Sequence, residues 1–348
     1  MSRRPLPPLP LFELTRARVL EFVREPEALF WVFVFPILMA LALGIAFRSR
    51  GVDSAVAGVL DGPEAAVVVE TLRSSGGIDV KLVPADQADR MLRNGDVQLL
   101  VVPGNPPTYR YDPARTESRL AKLLIHEALM KAAGRADPWT PREQTVMVRG
   151  SRYIDWLIPG LLGMNIMGTG MWGVGFGIVQ ARTRKLLKRL VATPMRRSEY
   201  LLSHMLGRLM FLALEVISLL TFAWIAFDVV SQGSLLAVAV VAIVGAVSFS
   251  GLGVLVASRA QTVEGVSGLL NVVMLPMWLL SGVFFSSANF PARAQPFIQL
   301  LPLSALNDAL RAVMIEGSSL MAVRLELGIL VAWGVASFGL ALAWFRWQ

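Results

Sequence analysis

Apolar residues gather into six runs of membrane-spanning length, at 28–47, 154–179, 205–227, 235–257, 263–285 and 325–345. A helix needs about 20 mostly apolar residues to cross about 30 Å of hydrocarbon, so each run predicts one span. Between the first two, residues 48–153 change character: charges mix, turn residues recur, and the apolar stretches shorten. Strand-like runs at 55–60, 78–83, 97–102 and, more weakly, 108–111 alternate with helical runs at 64–72, 86–93 and 117–133. That alternation predicts βαβ units and a small, partly parallel sheet in a folded, water-exposed domain. Residues 9–25 have a third pattern. At 100° per residue Phe12, Val19 and Val23 fall on one line, flanked by Leu20 and Phe22, with Glu13, Arg18, Glu21, Arg24 and Glu25 opposite. This predicts an amphipathic helix lying in the membrane interface. Residues 303–314 are apolar but too short to span, and predict a re-entrant or interfacial helix.

The expected fold is therefore an α-helical polytopic membrane protein. It has six transmembrane helices, an N-terminal interfacial helix and an inserted external α/β domain. The expected boundaries are 1–27 for the cytoplasmic tail and interfacial helix, 28–47 for the first span, and 48–153 for the external domain. Residues 154–348 hold spans two to six, with a helix at 182–193 and a re-entrant segment at 286–323. Span one begins too deep in the chain, and lacks the small-residue cleavage site, to be a signal peptide.

Composition agrees. Of 348 residues 55% are hydrophobic and 17% charged, against about 25% charged in soluble domains. There is no cysteine, which excludes disulfides, thiolate metal sites and cysteine nucleophiles. The two histidines, His126 and His204, lie far apart without ligand clusters, so no metal site and no catalytic residue is expected. The turn-placed Asp61, Asp86 and Asp112 read as caps. The net charge of +8 is unevenly placed. Residues before span one, between spans two and three (Arg208 included), and at Arg259 and Arg346 bring fifteen basic residues to one side, against seven acids on that side or mid-span: Glu13, Glu21, Glu25, Glu27, Glu199, Glu215 and Glu264. The remaining eighteen bases and eighteen acids balance on the other side. The positive-inside rule puts both termini in the cytoplasm and residues 48–153 outside. Anionic membrane lipid, and not nucleic acid, is the expected partner of the basic face.

Candidate chemistry is sparse. Span two is glycine-rich, and Gly173-x-x-x-Gly177 fits close helix packing in lipid. After it, Leu186, Leu187, Leu190 and Val191 share an arc opposite Arg184, Lys185, Lys188 and Arg189, until Pro194 ends the run. This is either a solvated basic face or a docking helix. Glu215 lies mid-span, where a carboxyl must be protonated, paired or facing a polar cavity. Asn165 and Asn271 are in-span polar residues suited to interhelical hydrogen bonds. Met164, Met167, Met171, Met274 and Met277 would suit an apolar cargo wall, since methionine adapts to varied ligands, though ordinary packing explains each equally.

No phosphate-binding loop occurs, so this chain does not hydrolyse nucleotide alone. Its ordered motifs resemble those of the ABC transporter permeases of the type-2 membrane class with a large domain after the first span. They are Arg24-Glu25-Pro26 with Phe35-Pro36; Val59-Leu60-Asp61 through Val101-Val102-Pro103; Tyr153-Ile154-Asp155-Trp156-Leu157-Ile158-Pro159-Gly160; Leu187-Lys188-Arg189 through Thr193-Pro194-Met195-Arg196-Arg197 to Tyr200-Leu201; and Leu280-Ser281-Gly282 with Pro291, Leu301-Pro302-Leu303 and Ala309-Leu310-Arg311.

The resemblance implies a second copy or a sibling permease. It also implies two cytoplasmic ATPase subunits that carry ATP and Mg, and no cofactor in this chain. It makes the 182–193 segment a coupling helix, with Arg184, Lys185, Leu186, Leu187, Lys188, Arg189, Leu190, Val191, Thr193 and Pro194 against the ATPase. It implies export of a drug, lipid or peptide through a multi-pass protein of the cell membrane, with Met164, Met167, Met171, Glu215, Asn271, Met274 and Met277 along the pathway. The rival readings are an ion-coupled carrier using Glu215 and a membrane-anchored receptor sensing through the external domain.

Overall fold

The structure is a computed structural model that describes residues 10–47, 55–136, 139, 150, 152–185 and 197–344. The chain divides into two compact units, one formed by 1–48 with 148–348 and the other by 49–147.

The first unit is a helical bundle. Helix α1 is Pro10–Val23 and helix α2 is Pro26–Ala46. Later come α6 (Tyr153–Thr183), α7 (Arg197–Phe227), α8 (Leu235–Ala257) and α9 (Val263–Leu280). The short α10 (Gln295–Gln299), α11 (Pro302–Met314) and α12 (Arg324–Trp344) complete it. Among the described residues, six helices are long and apolar enough to cross a membrane: α2, α6, the Gly207–Phe227 part of α7, α8, α9 and α12. These are the six expected spans, with small shifts at the ends. Span five stops at Leu280, short of the expected 285, because the chain turns at Gly282 with φ +70°.

Helix α1 packs on α7 through Phe22, whose ring centroid is 4.0 Å from that of Phe211. Phe12, Leu20 and Val23 stay exposed, so α1 has one apolar edge against the bundle and another on the surface.

Helices α6 and α8 form the centre of the bundle, and small residues let their backbones meet. A Cβ at Gly175 would lie 3.0 Å from the Gly253 carbonyl, and one at Gly253 would lie 2.9 Å from that of Met171. Of the expected Gly173/Gly177 motif, Gly173 packs on no described helix of this chain: a Cβ there would meet nothing within 4 Å. The helix is turned so that Gly170 and Gly175 carry the contact. Gly175→Leu should therefore lower thermal stability in detergent by about 1–3 kcal/mol, while Gly173→Leu should leave the melting temperature near that of the native chain.

Helix α11 is buried on most of its circumference, including Leu303, Leu306, Asn307, Leu310 and Val313. At about 1.5 Å per residue it is about 20 Å long, too short to span. It is enclosed by α6, α8 and α12.

The second unit is a four-stranded sheet ordered β2-β1-β3-β4: β1 Ala55–Leu60, β2 Ile78–Val83, β3 Leu99–Val102 and β4 Thr108–Arg110. The β1–β2 and β1–β3 pairs are parallel and β3–β4 is antiparallel. Ala55, Ala57 and Val59 point one way into a core with α3 (Ala65–Ser74) and α5 (Thr116–Ala132). Val56 and Leu60 point the other way, toward α4 (Ala88–Asn94). Gly58 is held to glycine because a Cβ there would lie 2.7 Å from Leu100.

Candidate functional site

The chemistry of the bundle starts at a proline. Pro36 has no N–H, so the carbonyl four residues back, Val32, has no helical partner. The helix answers by widening into a π-turn over Phe30–Val34, in which the Phe35 N–H reaches the Phe30 carbonyl. The Asn165 side chain on α6 donates to the freed Val32 carbonyl at 3.0 Å. One turn further along α6, the Thr169 hydroxyl lies 2.7 Å from the Asn165 carbonyl and 3.2 Å from Glu215 Oε2.

Glu215 is paired. Arg208 Nη1 donates to its Oε1 at 2.8 Å and Nη2 to its Oε2 at 3.3 Å, with Nη2 also near the Ile166 carbonyl at 3.4 Å. The side chains are 7% and 1% exposed. Spans one, two and three are thus joined by one polar line: Val32, Asn165, Thr169, Glu215, Arg208. Two charges away from water persist only when paired and hydrogen-bonded; here both Arg208 Nη atoms are bonded and only its Nε is left without a partner among the described residues.

Arg208, one of the basic residues counted toward the positive side, lies within the spanning part of α7. Seven residues separate it from Glu215, nearly two whole turns, so the two share a helix face. Because the pair cancels, the net charge asymmetry between the two sides stands.

A second knot joins spans two and five to α11. The Arg311 guanidinium stacks over the Trp156 ring, 3.8 Å from its centroid, and donates to the Gly282 carbonyl and, at 3.5 Å, to the Trp156 carbonyl. Asp308 lies 3.7 Å away. Asn307 Nδ2 donates to the Ser281 carbonyl at 2.8 Å, and Tyr153 donates to the Phe284 carbonyl at 2.9 Å. These donors satisfy carbonyls that the early end of α9 and the Gly282 turn leave open. Gly160 and Gly163 make room, since side chains there would strike Val283 and Asn307.

The expected pathway residues separate into two groups. Met164, Met167, Met171, Met274 and Met277 are buried in the bundle of this single chain, and Glu215 is buried with them. Asn271 is exposed. It sits beside a groove of about 450 Å³ on the outer face of α9 with Val272, Leu275, Pro276, Leu279 and Leu280.

For the coupling segment, Arg182 and Thr183 are the last residues of α6, so any separate helix begins beyond them. Arg184 caps α6 and Lys185 follows at φ 55°. Leu186, Leu187, Lys188, Arg189, Leu190, Val191, Thr193 and Pro194 lie outside the described residues. Among the described residues no cluster of three or more His, Asp or Glu could hold a metal.

Both ends of α6 are tied to neighbouring helix C-termini. At its start Arg152 donates to the Phe227 carbonyl at 2.9 Å and to Asp155 at 2.7 Å. Asp155 holds the Arg152 guanidinium above its ordinary range, so this clamp keeps its charge throughout the physiological range. At its end Arg182 Nη1 donates to the carbonyls of Ala257 and Ala260 at 3.1 and 2.6 Å.

Comparison with known proteins matches residues 26–343 to the family model described as ABC-2 family transporter protein. The chain is 27% identical over 172 residues to ABC transporter G family member 20 of Dictyostelium discoideum, covering 49% of this chain and 23% of that protein. It is 33% identical over 112 residues to Nodulation protein J of Rhizobium meliloti (strain 1021), covering 32% of this chain and 42% of that one. The matches thus span less than half the length of these relatives.

Proposed function

The chain belongs to the ABC-2 transporter family, and from that membership we propose that it is the membrane-spanning permease half of an ATP-driven exporter. The observation that carries the reading is a six-span bundle matching the family nearly end to end, in a sequence without any phosphate-binding loop. A chain of that kind needs a motor made elsewhere. We assign that role to a cytoplasmic ATPase carrying ATP and Mg, seated on the segment from Arg184 to Pro194, with both termini of this chain inside the cell and residues 48–153 outside it.

The cycle follows from differential affinity. ATP-driven closure of two ATPase subunits would push the coupling segments and shift two bundles between arrangements that hold cargo differently. The groove beside Asn271 on α9 offers an apolar surface with a polar group at one edge. It suits an amphipathic cargo or the second permease copy. The buried methionines behind that face would join the pathway only when the bundle opens.

An ion-coupled carrier would need Glu215 to take up and release a proton. What counts against that is its partner: Arg208 holds both carboxylate oxygens. The receptor reading predicts that no ATPase associates with the chain.

The test is co-purification with a candidate ATPase in lipid, measuring ATP hydrolysis. Leu186→Asp with Leu190→Asp puts charge on the apolar arc expected to seat in the ATPase. It should cut stimulation of hydrolysis by the permease about tenfold or more, a loss of about 1.4 kcal/mol of coupling. Unchanged stimulation with unchanged assembly would mean that the coupling assignment is wrong.

A further inference from the structure

We propose that Arg182 is a positioning residue that carries movement of the coupling segment across to the connector between spans four and five. The inference rests on the exporter reading and deepens it: it names where the push goes after it enters the bundle.

Arg182 stands in the last turn of α6, two residues before the expected ATPase contacts begin at Arg184. Helix α8 ends at Ala257. The last carbonyls of a helix have no partner within it, and the helix dipole makes that end negative. The Arg182 guanidinium meets this end directly. One nitrogen bridges the Ala257 carbonyl, on the helix, and the Ala260 carbonyl, on the connector. Both alanines are buried, and Arg182 itself is half-buried. Beyond Ala260, Thr262 caps the start of α9 by accepting from the Gly265 N–H at 3.0 Å. The same connector reaches span six, where Arg259 stacks over Trp344 at 5.4 Å.

Two turns deeper in the bundle, Gly175 and Gly253 key α6 onto α8 with their backbones in close approach. Contact there and at Arg182 means that α6 cannot slide or tilt at this end without taking the end of α8 along. The connector then passes the displacement to α9, which carries the exposed groove beside Asn271. Without Arg182 the push would still reach α8 through Gly175 and Gly253, but the direct hold on the connector at Ala260 would be lost.

The test is hydrogen exchange on the permease–ATPase complex in nanodiscs, nucleotide-free against ATP–vanadate-trapped, followed in peptides covering 184–197 and 258–265. In the native complex trapping should change exchange in both. In Arg182→Gln the response at 184–197 should persist, while the response at 258–265 should shrink about tenfold. Arg182→Lys keeps a cation and a donor, and should retain part of the connector response. Because the chain has no cysteine, Arg182→Cys with Ala260→Cys can be bridged by a short bis-methanethiosulfonate, each thiol displacing methanesulfinate to form a reducible disulfide. The bridge should restore the response, and reductant should remove it again. A full connector response in Arg182→Gln would overturn the inference and leave the exporter reading standing. Silence of both peptides in the native complex would overturn the exporter reading and this inference with it.

Discussion

Glu215→Ala should destabilise the bundle by about 3–5 kcal/mol, because it leaves the Arg208 guanidinium buried without a counter-charge. Thermal unfolding in detergent is the direct measurement, and a lower yield of monodisperse protein should accompany it. Glu215→Gln should be nearly as damaging. It keeps the shape and one acceptor but still strands the Arg208 charge. Arg208→Met alone should cost a similar amount for the mirrored reason, since the carboxylate is then alone in an apolar core. The double replacement Arg208→Met with Glu215→Met removes both charges, and its melting temperature should recover most of the loss. That double variant also separates the functional readings. An ATP-driven permease should keep ATPase stimulation with it, because the pair, both members on span three, then serves only to hold that span against span two through Thr169 and the Ile166 carbonyl. A proton-coupled carrier should lose all transport. Failure of the double variant to recover stability would mean that the Thr169 bond and the polar line beyond it matter more than the charge pair.

Arg311→Ala should lower stability by about 3 kcal/mol. A stacked, desolvated cation–π contact contributes about 2 kcal/mol, and charge-assisted hydrogen bonds to carbonyls add to it. The residue is partly buried, its side chain 12% exposed, and joins Trp156 on span two, Gly282 after span five and α11. Its loss frees all three at once, so proteolysis between residues 286 and 323 should speed up along with the drop in melting temperature. Arg311→Lys should recover little. An ammonium keeps the charge but cannot stack flat on the indole while donating sideways to the backbone. A melting temperature for Arg311→Ala within a degree of the native value would show that the knot follows the packing of α11 and does not secure it.

The two arginines differ in how far the sequence exposed them. Glu215 stood out at once, because a carboxyl inside an apolar run is costly wherever it falls. Arg208 did not, since it lies at the edge of the run and next to a basic loop. The signal that could have found it was there: seven residues toward the N-terminus is two helical turns, and a buried acid calls for a base on its own face. Arg311 was readable only as part of a motif. Nothing in its neighbours names Trp156, which lies 155 residues away. The same holds for Asn165 and Val32. Pro36 announces a freed carbonyl, but not which helix will supply the donor.

Residue order by itself determined the six spans, the amphipathic first helix, the α/β pattern of residues 55–132 and the short helix near residue 303. These follow from local periodicity and from hydrocarbon thickness, both properties of contiguous sequence. Only the tertiary structure decided which glycines face a neighbour, that Gly173 is open while Gly175 is not, that the methionines turn inward, and that arginines at both ends of span two close the ends of other helices. Helix rotation settles all of these. In an apolar segment nearly every face is equally greasy, so hydrophobicity cannot fix the rotation. It is set by which backbones can approach closely and which stranded carbonyls find a donor.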